Sequence, residues 1–266
     1  MKNALLILKT LLNLHSMELT EQRKRIIWKT FDSRRWGYYR QARRIARNGL
    51  QESVKPVIEL LEDRGVEVAY DNFDAFIDKE PLRDAYNRIY TMVGVPFARR
   101  SNEDLMGKMK QEDEDWVRRV TGYLGIALND RLDAVTLTTK NKIASILSDG
   151  IRLGTSIQDM SAQIAQEAGG IVRATRIART EVISASNLGS IEGARATGLP
   201  LDKTWLSTRD ARTRDTHDEA DGQTVAMDEL FNVGGSLLDF PGDWSNNADV
   251  AEIIQCRCTT IYQVRR

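Results

Sequence analysis

The sequence predicts an α+β fold: a mainly helical N-terminal body followed by a small α+β C-terminal domain. Three observations predict it. Apolar residues recur at helical spacing through the first two thirds of the chain. Helix start and stop residues recur with that spacing, ending in Gly198 and Pro200. Past Pro200 the composition shifts to short segments containing Thr, Val, Trp, Tyr and Ile, separated by loops rich in Gly, Asp, Asn and Ser. The expected divisions are a basic helical region over 1–115, a helical body over 116–200, and a small α+β domain over 201–266.

Taken in order, Leu5, Leu8 and Leu12 share one face of an N-terminal amphipathic helix that would dock on the protein or on a partner. Heptad-like spacing then runs from Arg23 to Asp63, softened at Gly49, with Pro56 expected to kink that helix or start a new one. Gly65 is a candidate C-cap, and Val66–Tyr70 is expected to be extended. Pro81–Val93 fits a helix with proline in its first turn, ended by Gly94-Val95-Pro96. Residues 99–115, rich in charge, read as a surface connection or mobile arm. Trp116 opens a new apolar pattern through Leu124 and Ile126. Thr138 or Thr139 is expected to cap a helix carrying Ile143, Ile146 and Leu147 that ends near Gly150. Ser156 with Asp159 resembles a capping box for a helix ending at Gly169-Gly170, and a long helix spans 171–197. Strands are expected over Lys203–Ser207, Thr224–Met227 and Thr259–Val264, with a long irregular loop from Gly234 to Asn247.

Charge is balanced overall, 38 Lys+Arg against 38 Asp+Glu, but unevenly placed. Residues 1–58 hold 13 Lys/Arg and 4 Asp/Glu. Arg23, Lys24, Arg25, Arg34, Arg35, Arg43, Arg44 and Arg47 are therefore candidates for contact with nucleic acid or an acidic protein surface; a solvated helix face is the plainer alternative. Trp28, Trp36, Tyr38 and Tyr39 interleave with them and suit either stacking or packing. The apolar stretch Ala4–Leu14 is too short to span a bilayer, and no small-residue cleavage site follows it. The 2 cysteines stand in one triplet, which argues against a disulfide scaffold.

Rare, chemically capable residues crowd the C-terminal quarter. Cys256 and Cys258, two apart, would share a face on an extended segment and could both ligate a metal. A structural zinc ion could use Cys256, Cys258, His217 and one carboxylate, with Asp210 the first candidate and Asp215, Asp218 and Asp221 the others. Alternatively the cysteines are small buried hydrophobes, or form a strained disulfide. No other cofactor is indicated. Asp210, Arg212, Arg214 and His217 could also serve phosphate chemistry, which keeps a nuclease or nucleic-acid-binding protein as the alternative function. Local capping and ion pairing are the plainer explanation. Arg179 and Glu181 sit two apart on a helix and would reach across to other elements, Glu181 to Arg212, Arg214 or Arg257; reversing its charge should destabilise the C-terminal domain.

Ala178-Arg179-Thr180-Glu181, Asn187, Gly189, Gly198, Trp205, Asp210-x-Arg212-Thr213-Arg214-x-x-His217, Asp221-Gly222-Gln223, Phe231, Pro241-Gly242-Asp243 and Cys256-Arg257-Cys258 occur in this order. The ordered set resembles the Mu F-like minor head proteins of tailed bacteriophages, also called head-morphogenesis proteins. Upstream, Val93-Gly94-x-Pro96-Phe97-Ala98 is similar more loosely. Gln255 departs from the Asn that the family usually carries there. The resemblance implies a structural rather than enzymatic protein of the virion, located inside the head at the portal vertex, and in the host cytoplasm during assembly. It implies the portal protein as partner, with scaffold or major capsid protein and packaged DNA as further contacts, and no membrane in the mature head. Its implied roles are head morphogenesis, capsid assembly, DNA packaging and DNA ejection. It also implies that Arg179, Glu181, Trp205, Arg212, Arg214 and Asp221 anchor the motif region. Members also occur fused to toxin domains; the expectation here is that none follows Arg266.

Overall fold

A computed structural model describes residues 20–107 and 113–265. The expected helix around Leu5, Leu8 and Leu12, and part of the expected surface connection, lie outside the described residues. Among the described residues, six helices of seven residues or more come first: α1 (Glu21–Arg64), α2 (Val66–Asn72), α3 (Glu80–Met106), α4 (Asp113–Leu153), α5 (Ile157–Glu167) and α6 (Ile171–Arg195). They are followed by β1 (Leu201–Leu206), α7 (Asp215–Glu219), β2 (Thr224–Ala226), β3 (Phe231–Val233), β4 (Ser236–Leu238), α8 (Val250–Ile253) and β5 (Thr259–Val264). The mainly helical body with a small α+β end is thus the observed fold class. No helix among the described residues is long and apolar enough to cross a membrane.

Several expected boundaries are corrected. Val66–Tyr70 is helical, with Gly65 at φ 81° making the break that separates α1 from α2. Pro56 lies inside α1 and Pro96 inside α3, each forgoing one backbone hydrogen bond without ending its helix. Residues 99–106 are helix rather than a loop, burying Ser101, Asn102 and Leu105. Thr138 and Thr139 do not cap anything: their hydroxyls donate back to the Ala134 and Val135 carbonyls, 3.1 and 2.9 Å away, inside the unbroken α4. Ile126, read as part of an apolar face, is exposed. The Ser156 cap is present as expected, accepting from the Asp159 amide at 3.1 Å.

The chain forms two compact units. One comprises Tyr39–Ile89 and Leu124–Arg179; the other comprises the chain up to Tyr38, Tyr90–Tyr123 and Thr180–Arg266. Long helices divide between the units, so these are interleaved in sequence, whereas the divisions at 115 and 200 follow composition. The first unit is held by aliphatic packing: Val54, Val57 and Leu61 of α1, Ala69 of α2, Ile77 ahead of α3, Ile143 and Leu147 of α4, and Met160 and Ile164 of α5 form one buried cluster.

In the second unit, α3 and α6 approach unusually closely. A Cβ on Gly189 would fall 2.1 Å from the Gly94 carbonyl oxygen, and one on Gly193 2.0 Å from that of Ala98. Gly94 therefore serves close helix approach rather than helix termination, which is why the expected stop there fails. A three-stranded antiparallel sheet, order β2-β1-β5, follows, with Leu201 opposite Val264 and Thr204 opposite Thr224. β3 and β4 form a hairpin through Gly234 and Gly235, both at positive φ, as a two-residue primed turn requires. The region expected to be an irregular loop thus begins as a hairpin; the Gly-Gly pair between apolar residues was its signal.

Candidate functional site

The motif residues converge on α6 and on the loops that face it in the second unit. From Thr180 to Ser190, α6 carries a row of buried polar side chains: Thr180, Glu181, Ser184, Ser186, Asn187 and Ser190. Most of them bind backbone. Ser184 Oγ donates to the Gly242 carbonyl at 2.6 Å, and Asn187 Nδ2 donates to the carbonyls of Pro241 at 2.8 Å and Cys258 at 3.2 Å. The Gln255 amide donates to Thr180 Oγ1 at 3.1 Å. Asn187 Oδ1 accepts from Arg35 at 2.8 Å and from the Thr259 hydroxyl at 3.1 Å. The Tyr90 hydroxyl lies 2.9 Å from Glu181 Oε2 and 2.7 Å from Ser184 Oγ. Loop carbonyls buried without partners would each be costly, so a helix bearing short polar side chains fixes these loops in one conformation.

Most of the remaining motif residues have a structural task. Asp210 receives a two-pronged fork from Arg257, both contacts 2.6 Å, and accepts from the Arg212 amide at 2.9 Å. The Arg257 guanidinium holds the Asp210 carboxyl well below the usual carboxylate range. Arg214 donates to the Ile254 carbonyl at 2.6 Å. Asp221 Oδ1 accepts from the Ser207 amide at 2.7 Å, and Gly222 takes φ 83° in the turn. Gln223 pairs through both side-chain atoms with the backbone of Asn232, at 2.8 and 3.2 Å. Trp205 is fully buried and packs edge-on against Phe231, centroids 5.4 Å apart, and against His217 at 5.6 Å. Gly242, at φ 87°, presses to within 3.1 Å of the Ser184 Cα, measured from where a Cβ would stand. Asp243, wholly buried, accepts from Tyr123 at 2.8 Å and from the Asp239 and Ser245 amides at 2.9 Å each.

The His/Cys group lies beside this frame. His217 of α7 directs Nδ1 toward Cys258 Sγ at 3.3 Å and Cys256 Sγ at 3.7 Å. All three side chains are buried. The Cys258 amide points at Cys256 Sγ, 3.4 Å away. On the far side of the ring, Nε2 is 2.9 Å from Glu252 Oε2, although its N–H direction has no well-aligned acceptor. Thr216 holds that carboxylate with a 2.8 Å hydrogen bond. Burial pushes the His217 imidazole down, yet the adjoining Cys256 sulfur outweighs it and the net shift is upward. Burial likewise pushes the Cys256 thiol up, but contacts from Cys258 and His217 bring it well below the usual thiol range. Cys258 moves the other way, raised by burial and by Cys256.

Several expected assignments change. Asp210 stands outside the His/Cys group, its carboxylate engaged by Arg257, so it is not the fourth ligand. Arg35 is fully buried, donating to Ser186 Oγ at 2.7 Å and to Asn187, and cannot form part of a basic contact surface. Arg23, Lys24 and Arg34 are half-buried in that unit and Arg25 is exposed; Arg43, Arg44 and Arg47 are exposed in the other. Glu181 meets Tyr90, while the arginines expected to reach it are engaged by Asp210 and Ile254. Arg179 is exposed, and Arg212 is mostly so. Glu252, Ser184 and Tyr123 were missed: each stands outside the dense motifs, and only the fold brings it in.

Residues 141–261 match the family described as Phage Mu protein F like protein. The match covers that segment, less than half of the chain. It contains all of α5 through α8 and the whole His/Cys group. The chain is also 31% identical over 141 residues to a protein of Enterococcus faecalis named NAD(+)--arginine ADP-ribosyltransferase EFV, covering 52% of this chain and 28% of that one. It is 30% identical over 129 residues to Minor head protein GP7 of Bacillus phage SPP1, covering 47% of this chain and 41% of that one. The chain thus spans less than half the length of either curated relative. No solved structure matches it.

Proposed function

We propose that this chain is a minor head protein of a tailed bacteriophage, located in the head at the portal vertex and supporting head morphogenesis and DNA packaging or ejection. The observation that carries this reading is the likeness of the Mu F-like segment to the SPP1 protein named Minor head protein. The site's construction supports it. Asp210, Arg214, Asp221, Gln223, Phe231 and Asp243 each complete a turn, a cap or a packed pair, so these motif residues are engaged in holding the fold. The nuclease alternative has less support, because His217 is buried and Asp210 is held in a fork with Arg257. The activity named for the Enterococcus faecalis relative stays with that protein, since the matched region is 28% of it. The portal protein is the expected partner, scaffold or major capsid protein a further one, and the exposed Arg25, Arg43, Arg44 and Arg47 suit phosphate contact with packaged DNA.

Quantitative mass spectrometry of purified particles and procapsids from the encoding phage tests the reading. A small, fixed number of copies per portal ring is the expected result. Absence from both particle types would reject it and bring nuclease assays forward.

A further inference from the structure

We propose that His217, Cys256 and Cys258 bind one zinc ion, with His217 Nδ1 and both thiolates as ligands, Glu252 orienting the imidazole from its other nitrogen, and a small exogenous ligand such as water in the fourth position. Three observations carry this, none of which depends on the head-protein reading.

The first is geometric. With Zn–S about 2.3 Å and Zn–N about 2.0–2.1 Å, a tetrahedral ion sets its N···S edges at roughly 3.5 Å and its S···S edge at roughly 3.8 Å. The two N···S separations are 3.3 and 3.7 Å, and the three donor atoms lie within 4.8 Å of one another. The second is the choice of donors. Two thiolates and an imidazole form a borderline-soft set that suits zinc and disfavours the oxygen-seeking magnesium and calcium ions. The third is the support around the donors. The ligating nitrogen faces the sulfurs while a carboxylate, itself held by Thr216, stands at the opposite nitrogen. Such an arrangement fixes the tautomer and ring orientation of a metal-bound histidine. The Cys258 amide directed at Cys256 Sγ would offset charge on a thiolate in the same way.

Among the described residues no fourth His, Cys, Asp or Glu atom joins the group. Asp210, the ligand expected from sequence, is excluded by its fork with Arg257. Binding would release two protons from the His/Cys group and tie α7 to the segment that leads into β5, coupling the ion to folding of this region.

The test uses the full chain, freed of any affinity tag and dialysed against metal-free buffer. Elemental mass spectrometry is expected to find about one zinc per chain. Cobalt exchanged into the site should give thiolate-to-metal charge-transfer absorption. Asp210→Asn should retain the metal, whereas the Cys256→Ala, Cys258→Ala double variant should lose it. Glu252→Gln keeps all three donors and should weaken binding about 10- to 100-fold in competition with a chromophoric chelator. If the cysteine variant fails to fold, the cobalt spectrum of the unaltered chain remains decisive. Folded wild-type chain with no zinc and no cobalt uptake would overturn the proposal. So would an intact Cys256–Cys258 disulfide, metal retained without both cysteines, or an unchanged affinity in Glu252→Gln.

Discussion

The two units solve the same problem with different chemistry. In the unit built on Val54, Leu61, Leu147 and Ile164, the core is chiefly aliphatic, with polar contacts such as that of Arg173 to the Val135 carbonyl, 2.6 Å, beside it. In the other, α6 meets its neighbours through Ser184, Asn187 and Thr180 on one side and through bare glycine backbone on another. Apolar packing tolerates exchange of similar volumes, because no particular atom must be met. Polar side chains that satisfy loop carbonyls tolerate little, because each removal leaves a buried group unmet. The difference teaches that residue identity should matter far more in the second unit, and that this follows from its loops.

The largest expected effect is Asn187→Leu, which preserves volume but removes an acceptor from buried Arg35 and a donor from two loop carbonyls. A loss on the order of 3–5 kcal/mol is expected in urea unfolding. Gly189→Ala should cost about 1–3 kcal/mol by driving α6 from α3, read as a lowered Tm. By contrast Leu147→Met in the aliphatic unit should cost less than about 1.5 kcal/mol. Comparable losses for Asn187→Leu and Leu147→Met would break the comparison.

Smaller effects sharpen it. Gln255 sits at φ 57°, a left-handed conformation that Asn adopts more readily than Gln. Gln255→Asn should therefore stabilise the chain by about 0.5 kcal/mol, seen as a raised urea midpoint. Asp210 supplies a pH dependence. Its folded pKa is depressed by Arg257, so its contribution is present above the ordinary value of 3.8 and is lost as pH falls toward the folded one. The Tm advantage of wild type over Asp210→Asn should accordingly shrink as the pH is lowered through that value.

Much of this was legible before any coordinates. The long helices, the Ser156 cap and three strands follow from periodicity and punctuation, and the crowding of His217, Cys256 and Cys258 marked the unusual region. What could not be read is equally physical. Gly94 and Pro96 carry the local marks of a helix end, and only the approach of Gly189 shows that the glycine serves contact instead. Arg35 looks like its basic neighbours until its partners Ser186 and Asn187, some 150 positions away, are known. Glu252 gives no local sign at all; its position follows from α8 lying beside α7. Asp210 misled because a carboxylate near cysteines suits a metal as well as it suits an arginine.

The central claim is that polar side chains of α6 hold the loops at 241–245 and 255–258 in place. Hydrogen exchange on Asn187→Leu, followed amide by amide, tests it most directly. Protection should fall first and most at those two loops, with the β1–β2 amides losing less. Uniform loss across the second unit, or unchanged protection at both loops, would contradict it.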